Sequence, residues 1–229
     1  MMDPYVYEGT GILINKAGLK DQKKLDDFES TMVQLAMIKL LKDDEVYSSV
    51  TDIFAIHEIL FQEVYSWAGQ KRTVNIIKNE PILDGMSVTY SDHSNIESDL
   101  EKIQAVIENT DWKSLTQNEK LAKTAEIISD MWKVHAFREG NTRAVSVFLH
   151  YFMKKVGLTL NDTFISTHAK YFRNALVMAS LGEYRENQYL ENILNGAIAD
   201  KSSRESSTEY RTIKGYNVDN YEHNYHRTE

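Results

Sequence analysis

The chain has 229 residues, a formal charge of −8, a pI near 5.4 and no cysteine. Disulfide stapling and thiol catalysis are thereby excluded, and the acidic balance argues against a nucleic-acid surface, which needs clustered cations for counterion release. No apolar run approaches the roughly 20 residues of a membrane helix, so a non-membrane protein is expected. The start, Met-Met-Asp-Pro-Tyr, lacks a basic segment followed by an apolar one. A cytoplasmic protein is the expectation, although export by a route that reads other signals is compatible with this start. A single domain of this length buries about 70% of its unfolded surface, enough for one sizeable core.

Two prolines only, Pro4 and Pro81, and a dense 3.6-residue period predict an all-α chain with one extended interruption. Residues 21–42 carry Leu25, Phe28, Met32, Leu35, Ile38 and Leu41 at three- and four-residue steps, which makes an amphipathic helix. Thr51 and Asp52 can cap a second helix that runs through Ile56, Leu60, Val64 and Trp67 and stops at Gly69. In Thr73–Tyr90, the residues Val74, Ile76, Ile82, Leu83, Val88 and Tyr90 flank an Asp84-Gly85 turn, the signal of a short β-hairpin.

Residues 92–108 form a third helix. Thr116-Gln117-Asn118-Glu119 is a capping-box sequence that opens a fourth, reaching about Val134. Residues 142–156 resume the apolar period and end in Lys154 and Lys155 before Gly157, which suits a helix C-terminus. Helices at 167–181 and 187–200 follow. From Lys201 the chain turns polar, with Ser202, Ser203, Ser206, Ser207 and Thr208. Residues 1–200 therefore read as one domain, and 201–229 as a polar tail, partly helical or disordered.

The chemistry concentrates in His135-Ala136-Phe137-Arg138-Glu139-Gly140-Asn141-Thr142-Arg143, between the fourth helix and the next. Taken alone, His135 reads as a capping or core histidine. Its neighbours reverse that reading. Glu139 is a carboxylate able to hold a divalent metal, and Gly140-Asn141 supplies a turn whose N–H groups can neutralise oxyanions at a helix N-terminus. Arg143 lies in the first turn of the following helix, where a cation opposes the macrodipole unless an anion is bound there. Phe137 reads as the core anchor beneath the loop, and Arg138 as a solvated or supporting residue.

This order of residues resembles the signature loop of the Fic family, His-x-Phe-x-(Asp/Glu)-Gly-Asn-x-Arg. The resemblance extends to Tyr7-Glu8-Gly9-Thr10 with Leu13-Ile14-Asn15-Lys16, and to His57-Glu58-Ile59-Leu60-Phe61 with Tyr65-Ser66-Trp67-Ala68-Gly69. Arg72 and Asn75-Ile76-Ile77-Lys78 continue it, so that it covers about residues 5 to 200, with a domain core from about 50. His57, amid apolar residues on a helix, is assigned to structure. The resemblance implies an all-α Fic-type bundle with a β-hairpin flap over the active loop. It also implies transfer of AMP from ATP to a hydroxyl side chain of a protein.

On that resemblance His135 is the base, Glu139 holds Mg²⁺ (or Mn²⁺), and Gly140, Asn141 and Thr142 line the anion pocket while Arg143 contacts the β-phosphate. Lys78 touches nucleotide or target, or is a solvated surface lysine. The flap at 78–90, through Val88, Thr89 and Tyr90, holds the target segment by strand addition. The implied partners are ATP, a hydroxyl-bearing protein target, the chain itself through Tyr210, Tyr216, Tyr221 and Tyr225, and an antitoxin-like regulator. An oligomer is compatible.

Two departures stand out. Where many members carry a second arginine after the first, this chain has Ser146. No glutamate here has Ser or Thr four residues before it, so the family's inhibitory (Ser/Thr)-x-x-x-Glu is missing; Lys214 stands in the nearest look-alike. The alternatives are transfer of another phosphate-containing group, and a catalytically weak nucleotide- or partner-binding module. The intact Glu139-Gly140-Asn141 favours AMP over the phosphate-transferring Doc branch, whose loop lacks this glycine.

Overall fold

A computed structural model describes residues 3–42, 46–199 and 213. Eight α-helices account for most of these residues. They are α1 (Gln22–Leu40), α2 (Asp52–Phe61), α3 (Ile96–Glu108), α4 (Gln117–Val134), α5 (Asn141–Lys155), α6 (Asp162–Thr167), α7 (Ala169–Ala179) and α8 (Gln188–Ala199). The fold is all-α, as expected. The expected tail, including its tyrosines, lies outside the described residues except for Ile213.

Helices α4 and α5 form the centre because each buries a broad apolar face. Buried on α4 are Leu121, Ala125, Ile127, Ile128, Met131, Trp132 and Val134; buried on α5 are Val145, Val147, Phe148, Leu149, Phe152 and Met153. A face that broad needs several neighbours to cover it. Here α3, α7 and α8 pack on α4, and α2 packs on α5. Each fully buried Phe contributes about 1.5–3 kcal/mol relative to exposure. The start of α4 is fixed by the capping box: Glu119 N–H donates to Thr116 Oγ1, and Thr116 N–H donates to Glu119 Oε2 at 2.8 Å.

Three expectations about the elements are corrected. Helix α2 stops at Phe61, not at Gly69. Beyond it, Tyr65 N–H still bonds Phe61 O, but the chain turns back at Gly69 (φ +76), whose N–H donates to His57 Nδ1 at 2.9 Å. Val64, Tyr65 and Trp67 kept the apolar rhythm because this turn is buried against the core. The helix expected at 167–181 is divided, with α6 ending at Thr167, His168 in a turn and α7 beginning at Ala169. On α1 the buried positions are Leu25, Val33 and Leu40, while Leu35 and Ile38 are 60% and 48% exposed.

The flap segment reverses direction about Asp84 and Gly85 as expected, but its arms form no strand ladder. Pro81 offers no N–H to a ladder and instead opens a 3₁₀ turn, Pro81–Leu83. The reversal is closed by Glu80 N–H donating to Met86 O at 3.0 Å. Among the described residues the one β-bridge joins Val6 and Leu13.

Arg72 ties this segment to the centre. It is 1% exposed, and its guanidinium donates to His135 O (2.7 Å), Val74 O (2.8 Å), Val134 O (3.3 Å) and Ser91 O. Replacing Arg72 with Met should leave several buried carbonyls unpaired and lower stability by about 3 kcal/mol or more. The shift in urea midpoint measures this, and a midpoint unchanged from the parent contradicts it.

Candidate active site

The signature loop is a helix–loop–helix joint. His135 is the C-cap of α4 and adopts the left-handed conformation (φ 50, ψ 56), one of two non-glycine positive-φ residues among those described. Its Nδ1 lies 3.2 Å from Trp132 O and is placed to donate to it. That contact puts the ring proton on Nδ1 and leaves the Nε2 lone pair free. Nε2 is buried and has no hydrogen-bond partner. Burial, with Lys78 adding to it, holds the His135 pKa well below the ordinary histidine value. The imidazole is therefore neutral at physiological pH, the form a base requires.

Beyond His135 the loop is clamped from inside. Asn141 Oδ1 accepts from Phe137 N–H (2.9 Å) and Asn141 Nδ2 donates to Phe137 O (2.7 Å). The Asn141 side chain is thus structural. Gly140 has φ +86, and a Cβ there would lie 2.3 Å from the Phe61 ring. Helix α5 begins with no side-chain cap, so the N–H groups of its first turn are available to an anion. Thr142 lies in that turn, and its Oγ1 accepts from Trp132 Nε1 at 2.9 Å.

His57 behaves as the structural residue it was expected to be, with a specific task. It accepts from Gly69 N–H and donates from Nε2 to Glu139 O at 3.0 Å, while its ring stacks on Phe137 at 3.8 Å. Burial lowers its pKa to about 4, so this tautomer is kept.

Glu139 is the electrostatic centre. Burial opposes its ionisation, but Lys78, the Gly140 N–H and Arg143 together bring its pKa down to about 2. Lys78 Nζ sits 3.0 Å from Glu139 Oε2, which draws the flap lysine into the site rather than out to solvent. Arg143 lies over the Phe61 ring and 3.6 Å from Glu139.

His135, Glu139, Gly140, Asn141, Thr142, Arg143 and Lys78 thus surround one cavity of about 210 Å³, joined by Arg173 from α7. A second, apolar cavity of about 190 Å³ opens beside Arg143 and Ser146, bounded by Met37, Leu41 and Phe172. Ser146 Oγ donates to Arg143 O at 2.8 Å. Of the expected docking residues, Val88 is buried and Thr89 exposed, whereas Tyr90 packs on the His135 ring at 4.0 Å and donates to Glu80 Oε1 at 3.1 Å.

Two site residues were not foreseen. Glu29 on α1 pairs with Arg143 at 2.6 Å and accepts a bond from Tyr65 OH. Its signal was a carboxylate four residues from both Leu25 and Val33, within the buried stripe. Arg173 carries no motif. It is identified by its place on the cavity wall, where it pairs with Glu80, 93 positions away.

The Fic/DOC family pattern matches residues 47–153. A probable protein adenylyltransferase, y4lH of Sinorhizobium fredii, is 31% identical over 79% of this chain and 90% of its own length. The protein adenylyltransferase VbhT of Bartonella schoenbuchensis is 27% identical over 84% of this chain, which spans 38% of that longer protein. The fold matches the crystal structure of the effector BepC of Bartonella tribocorum with bound AMPPNP (TM-score 0.70, 21% identity, 84% of this chain and 95% of that one).

Glu29 competes with any anion for Arg143. Glu29→Gln removes that negative charge while keeping an acceptor for Tyr65 OH, and should tighten ATP binding by about threefold or more, an effect of roughly 0.6 kcal/mol. Calorimetric titration checks this, and weaker binding in the variant would show that Glu29 supports the site instead.

Proposed function

The chain belongs to the Fic/DOC family, and from that membership we propose that it is a protein adenylyltransferase, moving AMP from ATP to a Tyr, Ser or Thr hydroxyl of a protein. The observation that carries this reading is the neutral His135, whose unpartnered Nε2 sits on a cavity walled by cations and by the start of α5. The relatives named protein adenylyltransferase support it.

Nε2 of His135 takes the proton from the attacking hydroxyl. The hydroxyl oxygen then forms a bond to the α-phosphorus as the α–β bridging bond breaks, and pyrophosphate leaves. The first-turn N–H groups of α5 stabilise the charge on the phosphate oxygens, and Arg143 binds the phosphate beyond. Glu139 is the carboxylate that would hold Mg²⁺ or Mn²⁺, which supplies further charge neutralisation on the phosphates. One ionised carboxylate suits such a metal, because Mg²⁺ commonly takes one or two carboxylates and completes its shell with phosphates and water.

Tyr90 orders the base by packing on it, and the flap about residues 78–90 presents the target hydroxyl, with Thr89 on its exposed side. Targets include the chain itself through its tail tyrosines, and a separate regulator chain is part of the proposal. Among the described residues no helix is long and apolar enough to cross a membrane. We infer a cytoplasmic location.

Intact mass after incubation with ATP and Mg²⁺ tests the reaction. An adenylyl increment on protein is expected, and a phosphate increment would reassign the transferred group. His135→Ala should reduce transfer by about 10²–10⁴-fold with the fold retained. Because the His135 pKa is lowered, the acid limb of kcat/KM for transfer should fall below pH 6.5, the base form persisting as pH drops. A limb above pH 7 contradicts this assignment. Glu139→Gln should raise the Mg²⁺ concentration for half-maximal activity, since a neutral amide is a weak ligand for a hard cation. Equal half-saturation in variant and parent removes Glu139 as the ligand.

A further inference from the structure

A triphosphate brings about four negative charges, yet α5 offers only Arg143 toward them, since position 146 is a serine whose hydroxyl is turned back to its own helix. Another cation reaches the same cavity from a different element. Arg173 of α7 lines it beside Lys78, His135, Glu139 and Arg143, and its side chain is 36% exposed. It is held in place by a bidentate pair with Glu80, Nη1 to Oε2 at 2.5 Å and Nη2 to Oε1 at 3.0 Å. The Glu80 side chain is fully buried at the base of the flap and also accepts from Tyr90 OH.

A buried carboxylate is a poor way to gain stability. Its desolvation offsets most of the attraction, and an apolar pair of similar volume usually does as well. What the pair does achieve is geometry, because a bidentate contact fixes the plane of the guanidinium. Of its five N–H donors, two are committed to Glu80. The remainder are left for an anion entering the cavity, and Arg173 is close enough to Glu139 to feel its charge.

Resting on the transferase reading above, we propose that Arg173 is a donor-binding residue that contacts the phosphate chain of the nucleotide, delivering from α7 the cation that position 146 on α5 lacks. Glu80 is its positioning residue. Through Glu80 and Tyr90 the same side chains connect the phosphate site to the base of the flap and to the face of His135.

The test is equilibrium binding of ATP and of inorganic tripolyphosphate, with Mg²⁺, on a His135→Ala background so that nothing turns over. Arg173→Gln should weaken both probes by about tenfold or more, the size expected for a lost charge-assisted contact. Unchanged affinity for both overturns the proposal. So does a loss confined to ATP, which would assign Arg173 to the nucleoside. Should Arg173→Gln fail to fold because Glu80 is left unpaired, the double replacement Arg173→Gln with Glu80→Gln restores a neutral amide pair and must show the same loss. Glu80→Gln alone loosens the guanidinium without removing it, and should weaken tripolyphosphate by less than Arg173→Gln does. A loss in Glu80→Gln as large as or larger than that in Arg173→Gln would mean that the pair is only structural. Failure of the transferase reading looks different: the parent would bind tripolyphosphate in an Arg173-dependent way while transferring no AMP. A parent that binds neither probe overturns both.

Discussion

The left-handed backbone of His135 is the constraint on which the site depends. A non-glycine residue in that region costs about 1–2 kcal/mol, and it persists only where neighbours hold the adjoining peptides. Arg72 does this twice over: its guanidinium bonds His135 O and Val134 O, and its own N–H donates to Ala136 O at 2.8 Å. Asn141 then fixes Phe137, and His57 fixes Glu139. His135, Ala136, Phe137 and Glu139 are thus each held through the backbone. The side chains of His135 and Glu139 are left to act on the cavity. Preorganisation of this kind is what lets fixed dipoles stabilise developing charge without reorganising during the reaction.

Charge in the site alternates. Lys78, Glu139, Arg143 and Glu29 form a chain of opposite signs across it, and Arg173 and Glu80 form a separate pair on the far element. In the absence of an anion each cation already has a carboxylate, which keeps three positive groups close together without net repulsion. An incoming polyphosphate must replace some of these partners. The two carboxylates paired with arginine differ in the cost of release. Glu29 remains within reach of Tyr65 OH and is partly solvated, whereas Glu80 is sealed and cannot be left alone. Arg143 is therefore the cation that changes partner, and Arg173 the one that shares.

The centre of the fold was legible because its signals are local. The capping box at Thr116 and Glu119 specifies where α4 begins, and the lysines before Gly157 specify where α5 ends. The loop between them was legible because its residue types have few other reasons to occur together. The errors arose where tertiary contact overrides periodicity. Val64 and Trp67 are buried in a turn that mimics a helical stripe, and the buried face of α1 runs through Leu25, Val33 and Leu40 rather than Leu35 and Ile38. The flap residues alternate like strands, but Pro81 and the closure by Glu80 and Met86 leave no ladder. Arg173 and Glu80 could not be read as a pair because nothing local links them.

The position of Glu80 makes the flap part of the proposed phosphate site rather than a cover over it. Its main chain closes the flap reversal, one carboxylate oxygen takes Tyr90, and both take Arg173. Tyr90 in turn lies on the ring of His135, with its hydroxyl held protonated by burial and by Glu80. The flap, the proposed base His135 and the proposed phosphate-binding Arg173 are therefore connected through a single buried carboxylate. With one arginine on α5 instead of two, charge on the donor is balanced from opposite sides of the cavity. On the proposed reading, a shift of the flap would move Arg173 and the packing on His135 together, coupling the seating of the target to the placement of the phosphates through Glu80.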